Sequence, residues 1–255
     1  MMEPAGVALA PFLKACKAVI TLGIRSTLDS YSREERLLLL RARKIFFPTP
    51  RFVDIFEAAG RPTFPTAATY RYQRSRLTQQ LLFQVLGWPH PRSRIYFGTR
   101  QKERILKDFN LPCLTMNPHL PGTPVHLAED AGALEKRTAG HSPTIVREYI
   151  QWDERVRLLF VNFQCLGVQR HADGSPGPES FEPVTAEHPS VETPVRESLR
   201  LLRMAQLDDM LIEWGCMKGM WQTIEMRRPP PWWTTMQGRL NRHEYIGNMI
   251  GAGRL

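Results

Sequence analysis

Residues 209–233 read DMLIEWGCMKGMWQTIEMRRPPPWW, and this stretch decides the fold. Two apolar runs flank Lys218-Gly219, a pair suited to a two-residue reversal, so the stretch predicts two antiparallel strands. Each run carries a carboxylate where its strand ends, Asp209 in the first and Glu225 in the second. Carboxylates on adjacent strands are groups that can hold a metal ion between them. The same pattern also describes a plain hairpin with acidic edges, and spacing alone leaves both readings open.

Around this hairpin the composition is that of a folded protein. The chain has 255 residues with 42% apolar content, enough for one large domain or two small ones. The four cysteines, at 16, 113, 165 and 216, form neither a CxxC pair nor a dense framework, so free thiols are expected rather than disulfides or a zinc ribbon. The start of the sequence lacks the pattern of a signal peptide, and no run approaches the roughly 18 apolar residues of a membrane span. The expectation is a cytoplasmic protein without a membrane partner. The net charge of +9 is concentrated: residues 61–110 hold ten Lys or Arg against two acidic residues. Such a field favours phosphates, nucleic acid or an acidic partner without choosing among them.

Periodicity predicts alternating strands and helices in the first 60 residues, hence a parallel sheet with helical cover. A strand is expected at 17–23. A helix should follow Ser32, whose partner Glu35 completes a capping box, and a short strand and a helix ending at Gly60 come next. Helical spacing runs from Tyr72 to Leu86, and a further helix is expected at about 100–107. Strands are predicted within RIYFG, LPCLTM, VHLA and SPTIVREYI, with a hairpin through VRLLFVNFQCLGVQRH. Residues 172–195 contain five acidic residues and no Lys or Arg, and read as a long acidic loop. RESLRLLRMAQL then resumes as a helix. No HxxxH or Cys/His spacing suggests a transition-metal site, and no Walker loop, dinucleotide fingerprint or hydrolase elbow is present.

The order of these pieces resembles the ATP-grasp superfamily, in particular the branch of the ribosomal-protein glutamate ligase and glutathione synthetase-like enzymes. The resemblance covers roughly residues 70–242. It implies an α/β (α+β) ATP-grasp fold, with residues 1–70 as a shortened N-terminal α/β domain and 71–255 as the ATP-grasp-like domain. RSRLTQQLLFQVLGWPHPRSRIY resembles the entry to the nucleotide-binding region, with Arg76 where a lysine would approach the phosphates. TIVREYIQWDERVRLLFVNFQCLGVQRH resembles the adenine-side hinge and the substrate-side strands. It implies Glu148, Tyr149 and Ile150 at the nucleotide, and Arg155 and Arg170 at the transferred phosphoryl group, with Arg157 as a companion. In the opening hairpin the resemblance implies Asp209 and Glu225 as magnesium ligands.

Three departures stand against that pattern. Met116 or Thr115 falls where a second lysine is expected, Gly122 between Pro121 and Pro124 is all that remains of a glycine loop, and Arg227 replaces a metal-binding asparagine. Trp232 and Trp233 either cover the pocket, with Arg239, Asn241 and Arg242 lining it, or serve as packing. The implied activity is an ATP- and Mg²⁺-dependent carboxylate–amine ligase working through an acyl-phosphate, with a small-molecule or peptide acid and an amine as substrates. A homo-oligomer that completes the cleft is compatible with the short N-terminal part. One alternative is a catalytically degenerate ATP-grasp-like module that binds a nucleotide or an acidic peptide. The other is nucleic-acid binding through residues 61–110, a segment that the resemblance sets against nucleotide phosphates instead.

Overall fold

The computed structural model describes residues 6–119, 124–140, 142–172 and 181–255, the side chain of Ala172 excepted. Four short strands open the chain: β1 (Gly6–Ala8), β2 (Val19–Thr21), β3 (Ile45–Phe46) and β4 (Thr63–Phe64). They pair in parallel in the order β2-β1-β3-β4. Parallel neighbours need crossovers, and helices α1 (Arg33–Arg41) and α2 (Thr49–Ala58) supply them. The Ser32 hydroxyl accepts from the Glu35 amide while the Glu35 carboxylate accepts from the Ser32 amide, so the capping box starts α1 as its sequence requires. Val7, Leu9 and Ile45 pack with Tyr31, Leu39, Phe52 and Phe56 on one side of this sheet. Ala8, Phe46 and Phe64 pack with Ile246, Met249 and Ile250 of the last helix, α9 (Arg242–Gly251), on the other.

The single helical pattern expected from Tyr72 to Leu86 is two helices, α3 (Ala67–Arg74) and α4 (Arg76–Leu86). Ser75 between them is extended, and its hydroxyl accepts from the Thr78 amide, so it caps α4 instead of continuing α3. A second sheet contains β5 (Ser93–Tyr96), β6 (Cys113–Met116), β7 (His126–Ala128) and β8 (Thr144–Glu148) in the order β5-β8-β6-β7, antiparallel throughout. The helix expected at 100–107 is split into α5 (Gly98–Lys102) and α6 (Ile105–Asp108). Ile105 and Phe109 share a core with Leu134 of α7 (Ala131–Ala139).

The third sheet is the largest: β9 (Glu154–Val161), β10 (Gln164–Ala172), β11 (Glu182–Val184), β12 (Asp209–Met217) and β13 (Met220–Arg227), in the antiparallel order β11-β10-β9-β12-β13. Lys218 and Gly219 both take positive φ, 51° and 79°, which is the two-residue turn expected of the pair. Alternation sends Val156, Leu158, Phe160, Met210, Ile212 and Trp214 to one face, where they pack against Leu201 and Leu202 of α8 (Glu192–Ala205). The acidic stretch is not a loop throughout: Glu182–Val184 pairs with β10 and α8 begins at Glu192, while residues 173–180 of that stretch lie outside the described residues. A final hairpin, β14 (Trp232–Thr235) with β15 (Gly238–Asn241), leads into α9. All four cysteines are free, and among the described residues no helix is long and apolar enough to cross a membrane.

Candidate functional site

β13 is the edge strand of its sheet, yet three elements satisfy its outward backbone groups. The Gln79 amide of α4 accepts from the Met226 N–H (3.2 Å) and donates to the Met226 carbonyl (2.5 Å). The Thr223 N–H donates to the Pro89 carbonyl (2.9 Å), and Arg147 of β8 donates to the Ile224 carbonyl (2.7 Å). Edge groups covered in this way cannot recruit another strand. The same contacts hold α4 and β8 against the open face of β12 and β13, and the candidate site lies there.

On that face, opposite the α8 core, the register sets Glu213 directly across from Glu225. Arg157 of β9 pairs across from Glu213 on the other side. Arg155 lies two residues before Arg157 and therefore shares its face. Arg155 and Arg157 donate to the two Glu213 carboxylate oxygens at 3.3 and 3.0 Å, and Arg227 donates to the second oxygen at 3.1 Å. Arg76, the first residue of α4, is 4% exposed and reaches Glu225 at 2.9 Å through both Nε and an NH₂ group. Burial draws the Arg147 guanidinium down to about 10 and lowers that of Arg157 as well, against the pull of the nearby glutamates. Among the described residues the cluster thus holds five arginines against two glutamates. Its buried Nε–H groups of Arg155 and Arg227 have no hydrogen-bond partner among the described residues. Buried donors are rarely left unsatisfied, and a surplus of cations with free donors is the arrangement that an oxyanion completes.

The other expected residues are distributed differently. Asp209 does not meet Glu225. It stands four residues from Glu213 along β12, about 13 Å at ~3.3 Å per residue, and one Arg242 nitrogen donates to both its oxygens at 2.7 Å. With Asp209 2% exposed and Arg242 1%, this pair ties the start of β12 to α9. The sequence reading set Asp209 and Glu225 together as one ligand pair; in the structure they lie apart, and Glu213 is the carboxylate facing Glu225. Arg170 is separated from Arg155 as well. It pairs across from Val156, on the opposite face, and its Nε donates to Glu154 at 2.5 Å. His171 pairs across from Arg155, and Phe181 lies over the Arg157 guanidinium at 3.8 Å.

Glu148 ends β8 with its carboxylate accepting from the Arg92 amide at 2.6 Å. Tyr149 is exposed and Ile150 half-buried beyond it. Met116 is buried on β6, paired across from Ile145, while Pro121 and Gly122 lie outside the described residues. Trp233 is packing, buried against Leu159 and Leu211, and Trp232 carries the Arg239 guanidinium at 4.7 Å. Asn241 caps α9. Among the described residues no group of three or more His, Cys, Asp or Glu side chains is placed to hold a metal ion.

Glu213 and Arg147 are the residues that sequence reasoning missed. Counting back from the Lys218-Gly219 turn puts Glu225 within one residue of facing Glu213, and the irregularity between Glu213 and Trp214 completes the match. The signal for Glu213 was present. Arg147 carries none, since it lies in an otherwise apolar strand and its role depends on the neighbouring sheet.

No protein-family model and no curated protein matches the sequence. Solved structures do resemble it. A RimK domain ATP-grasp protein from Sphaerobacter thermophilus aligns over 87% of this chain and 90% of its own, with a TM-score of 0.64 and 16% identity. The D-alanine–D-alanine ligase of Bacillus anthracis, complexed with ATP, aligns over 96% and 91%, with a TM-score of 0.66 and 11% identity. The ATP-grasp ligase PsnB, complexed with a minimal precursor, Mg and ADP, aligns over 97% of both chains, with a TM-score of 0.67 and 13% identity.

Proposed function

We propose that this chain, whose fold is that of the ATP-grasp proteins, is an ATP-dependent ligase that joins a carboxylate to an amine through an acyl-phosphate. The observation that carries the reading is the surplus of arginine around Glu213 and Glu225, with two buried donors unsatisfied among the described residues. A triphosphate supplies the missing negative charge and the missing acceptors. Arg76, Arg155, Arg157 and Arg227 are then the phosphate-binding groups, and Arg147 sets the positive potential of the wall behind them. Glu148, Tyr149 and Ile150 are the proposed nucleotide-side segment at the end of β8. Arg170, engaged with Glu154 on the other face, is assigned no direct part in this version of the site.

The donor chemistry fits a magnesium ion at Glu213 and Glu225, which offer carboxylate oxygens from adjacent strands in register. Both glutamates are held by arginine, so the same arginines must turn to the phosphates for the carboxylates to ligate. When bound, the ion would neutralise phosphate charge and favour transfer to the acid. The side chains contribute position and charge. Arg155, Arg157 and Arg227 orient the terminal phosphate and stabilise the charge that develops on it, and none serves as a covalent nucleophile.

A second reading is favoured by specific residues: Met116 offers no cation, and Arg227 occupies Glu213. It takes the chain as a nucleotide- or acidic-peptide-binding module without turnover. Magnesium-dependent release of ADP, raised by a mixed pool of carboxylic acids and amines, is expected of the ligase. Nucleotide binding with no ADP release in any pool is the result expected of the module.

A further inference from the structure

The N-terminal sheet reverses its winding between β1 and β3, because β2 lies on one side of β1 and β3 on the other. Loops leaving the carboxyl ends of two such strands diverge and open a crevice, the usual place for a ligand in a parallel sheet. Here the crevice is a cavity of about 290 Å³. Phe12 from the segment after β1, Phe47 from the loop after β3 and Pro50 from the first turn of α2 form apolar walls, while Tyr70, Arg74 and Arg228 supply polar groups. A second recess of about 530 Å³ shares Arg74, Thr49 and Pro50 with it and adds Arg25 and Arg51.

Two features set this cavity apart. Arg74 and Arg228 are exposed and make no hydrogen bond or ion pair among the described residues; the acid that the Arg228 charge reaches, Asp209, has both oxygens held by Arg242, and the Arg228 guanidinium lies 5.8 Å from the Phe12 ring. In contrast, Arg25 is paired with Glu35, and Arg51 donates to the Ser26 carbonyl. The wall itself is held out of ordinary backbone geometry, with Phe47 at φ 48° and Thr49 at φ 69°. A β-branched residue in that region is costly and collects at ligand sites. Burial raises the Tyr70 phenol above its usual 10, so its hydroxyl keeps its hydrogen.

We propose that this cavity binds a small carboxylate with an apolar body, the carboxylate held by Arg74 and Arg228 and the body lying against Phe12, Phe47 and Pro50. The position suits the acid substrate of the reaction above. Arg228 directly follows Arg227, and Arg74 is two residues before Arg76, so the cavity adjoins the phosphate-binding arginines on both chain segments. Naming the ligand a substrate rests on the ligase reading, whereas the binding itself does not.

Thermal-shift and calorimetric titrations of the full chain with phenylacetate and succinate test this, with phenylacetamide and succinamide as uncharged controls. At least one acid should stabilise the protein and bind, and neither amide should. Arg74→Ala and Arg228→Ala should each weaken the acid about tenfold or more, as expected for loss of a charge-assisted hydrogen bond. Arg74→Lys and Arg228→Lys should keep part of the affinity, and Arg203→Ala, on exposed α8, should keep all of it. A parallel titration with a non-hydrolysable ATP analogue separates the two readings. Acid binding without nucleotide binding supports this site and removes the ligase. Nucleotide binding without response to either acid overturns this site and leaves the ligase standing. Acid binding unchanged in both alanine variants also overturns it.

Discussion

Glu213→Gln is the perturbation that reads the arginine cluster most closely. Glu213 is 7% exposed in its side chain and serves three arginines, whose own side chains are 16–27% exposed. Removing the shared partner of a fully buried ionic cluster costs about 3–5 kcal/mol, and partial access to water reduces this to roughly 2–3 kcal/mol here. For a chain of this size each kcal/mol moves Tm by about 2–4 °C, so the ligand-free variant should melt roughly 4–12 °C lower. The charge surplus of the cluster meanwhile rises from three to four: five arginines against two glutamates become five against one. Inorganic tripolyphosphate without metal should therefore bind the variant more tightly than the parent and restore most of the lost Tm. Adding Arg227→Gln to the variant should recover stability without any ligand. Calorimetry and thermal melts with and without tripolyphosphate check each point. A loss below about 0.5 kcal/mol, with no response to tripolyphosphate, would refute the electrostatic reasoning, because that is the level of an ordinary surface substitution.

Other predictions concern the frame around the site. Asp209→Asn leaves Arg242 buried without a counter-charge and should cost about 3–5 kcal/mol, with nucleotide affinity unchanged in the folded fraction; chemical denaturation and calorimetry separate the two effects. Gly215→Ala would drive a methyl group into the Trp152 ring, so it should destabilise by about 1–3 kcal/mol, read as a lower denaturant midpoint. Burial and two nearby arginines lower His243 to about 4, so between that pH and its usual 6.5 the unfolded chain binds the extra proton and stability rises with pH. Burial raises Asp208 from 3.8 to about 7, so over an overlapping window the folded chain holds the extra proton and stability falls with pH. The two slopes, up to about 1.4 kcal/mol per pH unit each, oppose one another; denaturant melts from pH 4 to 7 should show a falling slope in His243→Gln and a rising one in Asp208→Asn.

The elements were more legible in the sequence than their meeting points. Ser32 and Glu35 announce a helix start because a capping box is wholly local, and Lys218-Gly219 announces a hairpin because few residues tolerate two positive φ angles. Ser75 was misread as helical because the apolar period continues through it, although its hydroxyl ends one helix and begins the next. β1 gave little signal, since Gly6, Val7 and Ala8 form a strand only through pairing on both sides. The site was half visible. Arg76, Arg155 and Glu225 do converge, but Asp209 and Arg170 each have an ion-pair partner elsewhere, and neither Arg242 nor Glu154 is near its partner by any local pattern. Which carboxylate faces Glu225 depends on a register irregularity at Glu213/Trp214. That irregularity arises from packing between strands, so no window of sequence displays it.

Calorimetric titration with a non-hydrolysable ATP analogue, with and without Mg²⁺, in the parent chain and in a Glu213→Gln/Glu225→Gln double variant, tests the central claim most directly. The account predicts binding in the parent that magnesium strengthens, and binding in the double variant that magnesium no longer affects. Absence of binding in the parent under both conditions, or a magnesium effect that persists in the double variant, would contradict it.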